Sequence, residues 1–377
     1  MQFMVIDVVL FFAGLVVGFI YLLIISNIYS SWQNLEECRI VNKASTPKTS
    51  FSIIISARDE EENIMSCIES ITGMDYPVEL LDIIVVDDHS TDKTAQIAGE
   101  FKNVRVLTNL LEGKKEAMKY GVEQAKNKYL WFVDGDSALH KDAARLADVH
   151  IQKYDSSFIA CPIVYPVGKG LLNAFQVMDG VVNMAVTAAG INQQKFYLAN
   201  GANMLVEKEA FHGLEGFKGN DHLASGDDVF LIQKMASNDP SRVHYLKSRR
   251  MAAVTKEETS WSSFWNQRKR WATKTGAYTH KGLFYLQVSI FMVHATIVAL
   301  FALGFCIPIS FFVGLLVLFI KGMVDYLFIQ NMTSFFGVSK VNKWFIPAFF
   351  MYFPYIFFTA FHANFPSRYE WKGRQRK

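Results

Sequence analysis

Apolar and polar positions divide the chain into three stretches of different rhythm. Val8 to Ile25 is an unbroken run of apolar and small residues with no charge after Asp7, long enough to cross a bilayer. From Phe51 the pattern becomes short β-branched runs separated by longer stretches at helical spacing. Phe51 to Ser56, Leu81 to Val86, Val104 to Leu107, Tyr129 to Val133 and Phe158 to Cys161 read as strands bounded by turn residues. Glu61 to Ile71, Lys114 to Lys126 and Lys141 to Lys153 read as helices, and Asp92 is placed to cap another. This alternation predicts an α/β domain, a mostly parallel sheet with helices on both faces. Leu283 to Gln330 is apolar again, apart from His294, Lys321, Asp325 and a few polar groups, and is long enough for two crossings with Pro308 between them. Trp344 to Pro366 is either a third crossing or, because Pro347 and Pro354 interrupt it, a re-entrant or interfacial segment. Trp344, Tyr352, Tyr355 and Trp371 suit the interface.

The first apolar run competes with a signal peptide. Met1 to Asp7 carries no Lys or Arg and no small-residue cleavage pattern follows, so a retained anchor is expected. With 377 residues, 51% of them hydrophobic and 32 of them Phe, the chain can build one large domain and still have apolar segments left for a membrane. A net charge of +3 makes no case for nucleic acid. Basic residues are dense only at Lys247 to Arg250, Gln267 to Arg270 and Arg368 to Lys377. The positive-inside rule puts the α/β domain on the cytoplasmic side; three later crossings would then put the basic tail on the other. Cys38, Cys67, Cys161 and Cys306 are scattered, which fits a reducing compartment and neither a zinc site nor a disulfide scaffold.

Candidate chemistry gathers at strand ends. Tyr129 to Val133 runs straight into Asp134-Gly135-Asp136, delivering two carboxylates to the carboxyl edge of the sheet, where open α/β sheets bind ligands. Such a pair suits Mg²⁺ or Mn²⁺ with phosphate oxygens; by itself it is also an ordinary turn. Asp87-Asp88 ends the second strand, where one Asp can accept from a nucleobase N–H, and Ala57-Arg58-Asp59-Glu60 ends the first. Lys114, opening a helix after Gly113, can meet a diphosphate or be a solvated lysine. Gly201 and Ala202, in Asn200-Gly201-Ala202-Asn203, would let an acceptor approach the backbone, unless this is a plain loop. Asp227 and Asp228 open a helix, as caps or with a carboxylate serving as general base. Gln267, Arg270 and Trp271 lie in a basic stretch interleaved with Trp261, Phe264 and Trp265, the pattern of an amphipathic surface helix.

An acidic strand end, then Asp-x-Asp, then an acidic pair opening a helix, then Gln-x-x-Arg-Trp before apolar segments, resembles the family 2 glycosyltransferases. The membrane-bound members (cellulose, chitin and hyaluronan synthases and ceramide glucosyltransferases) are the nearest in pattern. The resemblance covers about Phe51 to Trp271. It implies a GT-A, Rossmann-like nucleotide-sugar domain at 51–255, between an anchor at 1–27 with a linker at 28–50 and an interface helix at 256–282. Membrane segments at 283–366 and a basic tail at 367–377 complete the expected order.

The resemblance also implies inverting transfer from a nucleotide-diphospho-sugar, commonly a uridine one, to a lipid or glycan acceptor. Asp88, with Asp87 beside it, would meet the nucleobase, and Ala57, Arg58 and Glu60 the nucleoside. Asp134 and Asp136 would handle donor and metal (Mn²⁺ or Mg²⁺), Asp136 being the expected ligand. Asp228 would be the base, and Gln267, Arg270 and Trp271 would close the donor site and line the acceptor entrance. His89, Asp59 and Asp227 stand where many relatives have Gly, Asn and Glu. The alternative is a processive polysaccharide synthase, which would need a homo-oligomer to supply enough helices for a polymer channel; a catalytically inactive membrane scaffold is the third reading.

Overall fold

The computed structural model describes residues 2–40, 46–219, 226–274, 278, 280–365, 369–371 and 374–376. Residues 41–45 of the expected linker, 275–277 and 279 of the expected interface helix, and 366–368, 372–373 and 377 around the expected basic tail lie outside them. The chain divides into two compact units: residues 35–166, 190–258 and 368–377 form one, and residues 1–34, 167–189 and 259–367 the other.

The first unit is built on a seven-stranded sheet in the order β3-β2-β1-β4-β7-β5-β8. Its strands are β1 (Phe51–Ala57), β2 (Leu81–Asp87), β3 (Val104–Thr108), β4 (Tyr129–Asp134), β5 (Phe158–Ala160), β7 (Asn203–Glu207) and β8 (Val243–Tyr245); β6 (Ile163–Val164) and β9 (Ala253–Val254) form a separate parallel pair. The helices are α2 (Ile64–Thr72), α3 (Thr94–Gly99), α4 (Lys114–Gln124), α5 (Ala143–Lys153), α7 (Lys208–Gly213) and α8 (Asp227–Asn238). β1, β2 and β4 are buried almost throughout, which is why they read as continuous apolar runs rather than alternating ones. All five expected strands and the three expected helices are present within a few residues of their expected bounds.

The sheet departs from the expectation in one respect. β7 runs antiparallel to both β4 and β5 and separates them. Five residues following a polar loop carry too little periodicity to be read as a strand, and the direction of pairing is a tertiary fact.

The helical unit comprises α1 (Gln2–Asn34), most of α6 (Gly170–Asn192), α9 (Trp261–Ala272), α10 (Lys281–Leu303), α11 (Pro308–Phe336) and α12 (Phe345–Asn364). Gly14 and Gly18 put the backbone of α1 against α11: a Cβ on Gly14 would lie 2.3 Å from Val313 Cγ1, and one on Gly18 3.0 Å from Ile320 Cδ1. That is small-xxx-small packing. Five of the described helices are long and apolar enough to cross a membrane by length and composition. Four fall in the expected segments. The fifth, Gly170–Asn192, is mostly buried within the structure.

Candidate active site

Strand register brings the expected residues to one edge. Ala57 pairs with Asp87 across β1/β2, Ser56 with Asp134 across β1/β4, and Val133 with Asn203 across β4/β7. The chain leaves β1 for β2 and β3 on one side and returns to β4 on the other, so β1/β4 is the point where strand order reverses, the usual ligand crevice of such sheets. Gly135 lets the two strand ends close up there: a Cβ on it would lie 3.3 Å from Glu60 Cγ and 3.4 Å from Ala57 Cβ.

The loops after β1 and β2 are tied to each other. Ser90 Oγ accepts from Asp59 N at 3.0 Å, Thr94 Oγ1 from Glu60 N at 2.7 Å, and Asp59 Oδ1 from Thr91 N at 2.8 Å. Asp92 accepts from Thr94 N at 2.9 Å and from Glu61 N at 3.0 Å. Burial would raise its carboxyl, but the hydrogen bond from the Thr94 hydroxyl, with those from the Glu61 and Thr94 amides, outweighs burial and holds it below the usual value. Asp92 therefore serves the start of α3 as expected, although from one position before the capping residue Lys93. Asp59 and His89 adopt φ of 49° and 57°, so the place where relatives carry Gly is one where the backbone is left-handed.

The two aspartates after β2 have different surroundings. Asp88, the one expected at a nucleobase, is 2% exposed. Its Oδ1 accepts from Asn109 Nδ2 at 2.9 Å and Gly113 N at 2.8 Å, which pins the turn into α4. Asp87 Oδ2 accepts from Ser90 N at 3.3 Å, but Asp87 Oδ1 is buried with no hydrogen-bond partner among the described residues. A buried acceptor in that condition demands an explanation. Arg58 Nη1 donates to the Asp88 carbonyl at 3.1 Å, and Glu60 Oε2 accepts from Asn63 Nδ2 at 2.7 Å.

The first turn of α4 supplies two cations. Lys114 Nζ pairs directly with Asp134 Oδ1, and Lys115 Nζ with Asp227 Oδ1 at 2.9 Å. Burial pulls the Lys114 ammonium down, but Asp134, then Asp228 and Asp136, outweigh it and hold its pKa above the usual lysine value. Burial pushes the Asp227 carboxyl up, and Lys115 offsets only part of that. Asp227 faces inward, 7% exposed. Asp228 instead accepts from Gly201 N and Val229 N, both at 2.9 Å, one on each oxygen. A Cβ on Gly201 would lie 3.6 Å from Asp228 Oδ2 and 3.8 Å from Lys114 Nζ. Ala202 is buried, and Asn203 is structural: it accepts from Trp131 Nε1 at 2.9 Å and donates to Pro162 O at 2.9 Å and Met251 O at 2.8 Å.

Asp136 lies 3.4 Å from the hydroxyls of Ser137 and Thr255. Among the described residues no group of three or more His, Cys, Asp and Glu is arranged to hold a metal, and Asp134 already faces an ammonium. One carboxylate is nevertheless the right complement for a divalent cation that arrives with a diphosphate, since Mg²⁺ is commonly held by one or two carboxylates plus substrate phosphates. Cys67 lies behind the turn, its thiol 3.6 Å from the Asp134 carbonyl; burial raises it, with Asp136, Asp134 and Glu60 adding to the effect, which makes it an unreactive thiol.

Gln267, Arg270 and Trp271 all lie on α9, in the helical unit. The aromatic face of α9 is turned onto its neighbours rather than left open: Phe264 is fully buried and 5.7 Å from the Phe175 ring of α6, and Trp265 is 4.5 Å from Phe358 of α12. Reading the sequence missed Lys115, Asn109 and Arg268. A lysine, an asparagine in a loop and an arginine in a basic run carry no local mark of burial.

The site thus sets carboxylates beside the ammonium of Lys114 at the point where strand order reverses. The chain belongs to the glycosyl transferase family group 2, whose sequence pattern it matches over residues 129–365; the related pattern of glycosyl transferase family 2 matches residues 52–196. The chain is 28% identical over 185 residues to glycosyltransferase AglE of Haloferax volcanii, covering 47% of this chain and 58% of that one. It is 23% identical over 381 residues to Probable glycosyltransferase YdaM of Bacillus subtilis, covering 89% and 88%. Little more than half of AglE and 22% of the Staphylococcus aureus transferase TarS are spanned. The fold is that of the mannosyltransferase PcManGT of Pyrobaculum calidifontis, solved with GDP-Man and Mn²⁺: TM-score 0.55 at 15% identity, over 94% of this chain and 99% of that one.

Proposed function

We propose that this chain transfers a sugar, with inversion, from a nucleotide-diphospho-sugar to the hydroxyl of a lipid or membrane-associated acceptor. The observation that carries the reading is the row Asp134–Lys114–Asp228 at the strand-order switch, with the backbone of Gly201 close beside Lys114 and Asp228. Asp228, anchored through both oxygens to backbone amides, keeps lone pairs for an incoming proton. In one displacement the acceptor oxygen bonds to the anomeric carbon, the bond from that carbon to the diphosphate oxygen breaks, and the hydroxyl proton passes to Asp228. No covalent enzyme intermediate is needed.

Lys114 stabilises the departing diphosphate. Asp88, with Asp87 beside it at the end of β2, is assigned to the nucleobase. Asp136 would hold Mg²⁺ or Mn²⁺ together with the diphosphate, and the bound ion would act as a Lewis acid on those oxygens. The donor and ion in the PcManGT structure support this assignment. We assign to Gln267, Arg270 and Trp271 the parts that the family resemblance implies, donor binding for all three and acceptor binding for Trp271 as well.

Four helices of membrane-spanning length and composition that are mostly not buried within the structure support an integral membrane protein, and with it an acceptor delivered from lipid. The basic stretches favour a cytoplasmic catalytic unit. The test is transfer from a panel of radiolabelled nucleotide-sugars with purified full-length protein, Mg²⁺ or Mn²⁺ and a total lipid extract. One discrete organic-soluble product supports the proposal. A ladder, or label retained as polymer, replaces it with processive synthesis; no transfer from any donor overturns it.

A further inference from the structure

The helical unit contains a charge pair that neither the sequence reading nor the proposed chemistry uses. Arg268 is the residue after Gln267 in the Gln-x-x-Arg-Trp stretch, and its side chain is 1% exposed. Its Nη2 lies 3.0 Å from Asp179 Oδ2 on α6, itself 6% exposed. The guanidinium lies over two rings of its own helix, 4.3 Å from the centre of Trp271 and 4.9 Å from that of Phe264, with Tyr355 of α12 at 6.0 Å. Asp179 is also a hydrogen-bond acceptor for Tyr352, Tyr355 and Asn183, so one carboxylate gathers α6, α9 and α12. Phe175, one turn earlier on α6, packs on Phe264, Tyr352 and Tyr355 at 5.7, 4.7 and 5.3 Å and closes the cluster in apolar surface.

A buried pair adds little net stability compared with apolar residues of the same shape; what it does provide is one registry. Here the registry is that of Trp271. Its ring lies against a guanidinium that cannot turn away without depriving the buried Asp179 carboxylate of its counter-charge. Lysine would retain the charge without the planar face that stacks on the indole.

We infer that Asp179 and Arg268 are positioning residues for Trp271, fixing through a carboxylate–guanidinium–indole chain the side chain that meets the acceptor. The inference rests on the acceptor-side role of Trp271 proposed above. Asp179→Asn retains the shape and one acceptor oxygen but loses the charge that holds Arg268. It is expected to lower turnover with acceptor by about 100-fold, the scale of a misplaced positioning group, with donor binding by calorimetry unchanged. Arg268→Lys is expected to fall between it and wild type. In a Trp271→Ala background Asp179→Asn is expected to cost nothing further, because coupled residues do not add.

Acceptor kinetics of Asp179→Asn equal to wild type would overturn the inference, and so would full additivity with Trp271→Ala. A second readout needs no turnover: hydroxyl-radical footprinting of Trp271 in full-length protein in detergent, with unchanged oxidation of the sheet-unit Trp131 in Asp179→Asn as the folding control. Oxidation of Trp271 is expected to rise several-fold in Asp179→Asn; no change would overturn the positioning role even if the wild-type protein transferred no sugar and the proposed function had failed.

Discussion

Asp228 Oδ2 accepts a hydrogen bond from the amide of Gly201 at 2.9 Å. That single contact joins the start of α8 to the loop before β7 and fixes the carboxylate at the open edge of the crevice. Asp228→Asn keeps one acceptor oxygen and loses the basicity. Transfer is expected to fall by about 10²–10⁴-fold, the usual worth of a general base, while calorimetric binding of the nucleoside diphosphate is retained. Retained transfer would remove Asp228 as the base.

Gly201 makes a steric prediction. A branched side chain there would occupy the space 3.6 Å from Asp228 Oδ2 and 3.8 Å from Lys114 Nζ. Gly201→Val is expected to raise the acceptor KM or abolish transfer while leaving the melting temperature near wild type. A wild-type acceptor KM would place the acceptor elsewhere.

Lys115 and Asp227 are both largely buried, at 11% and 8% side-chain exposure. Removing one member of a buried pair strands the other, at about 3–5 kcal/mol. Lys115→Met is expected to lower the melting temperature markedly, and Lys115→Met with Asp227→Asn to recover much of the loss. If the single variant melts as wild type, the pair is not buried in solution.

His150 supplies a pH test of the sheet unit. Burial, then the neighbouring His244 and Lys153, pull its pKa from 6.5 to about 3, and Nε2 has no hydrogen-bond partner among the described residues. The unfolded chain binds that proton near 6.5 and the folded chain does not, so the stability is fully present above pH 6.5 and lost as pH falls toward 3. His150→Phe is expected to flatten urea-unfolding stability across that window. An unchanged slope would assign the acid sensitivity to other groups.

His89 sits at φ 57°, a conformation costing an ordinary residue roughly 1–2 kcal/mol. His89→Gly is expected to raise stability by about 1 kcal/mol or less, since glycine also frees the unfolded chain. Thermal denaturation reads the sign, and a loss would mean that the imidazole makes a compensating contact.

Much of this protein is determined locally. The apolar runs ending in Asp87 and Asp134 specify buried strands that deliver carboxylates to one edge, because a parallel strand buried on both faces must be apolar and must turn polar where it emerges. Asp228 at a helix start and the long apolar helices are legible for the same reason: each is a pattern within one segment. Tertiary structure decided the partners. The reversal of β7, which brings Gly201 beside Asp228, depends on pairing between segments distant in sequence. The different surroundings of the Asp87 and Asp88 carboxylates depend on Asn109 and Gly113, which come from another segment and donate to Asp88 Oδ1, while the Asn109 amide donates to the Asp87 carbonyl. Arg268, one more cation in a basic run, became the most buried charge of its helix because Asp179, far away in the chain, faces it. A charge is placed by what neutralises it, and in this chain those partners come from other segments.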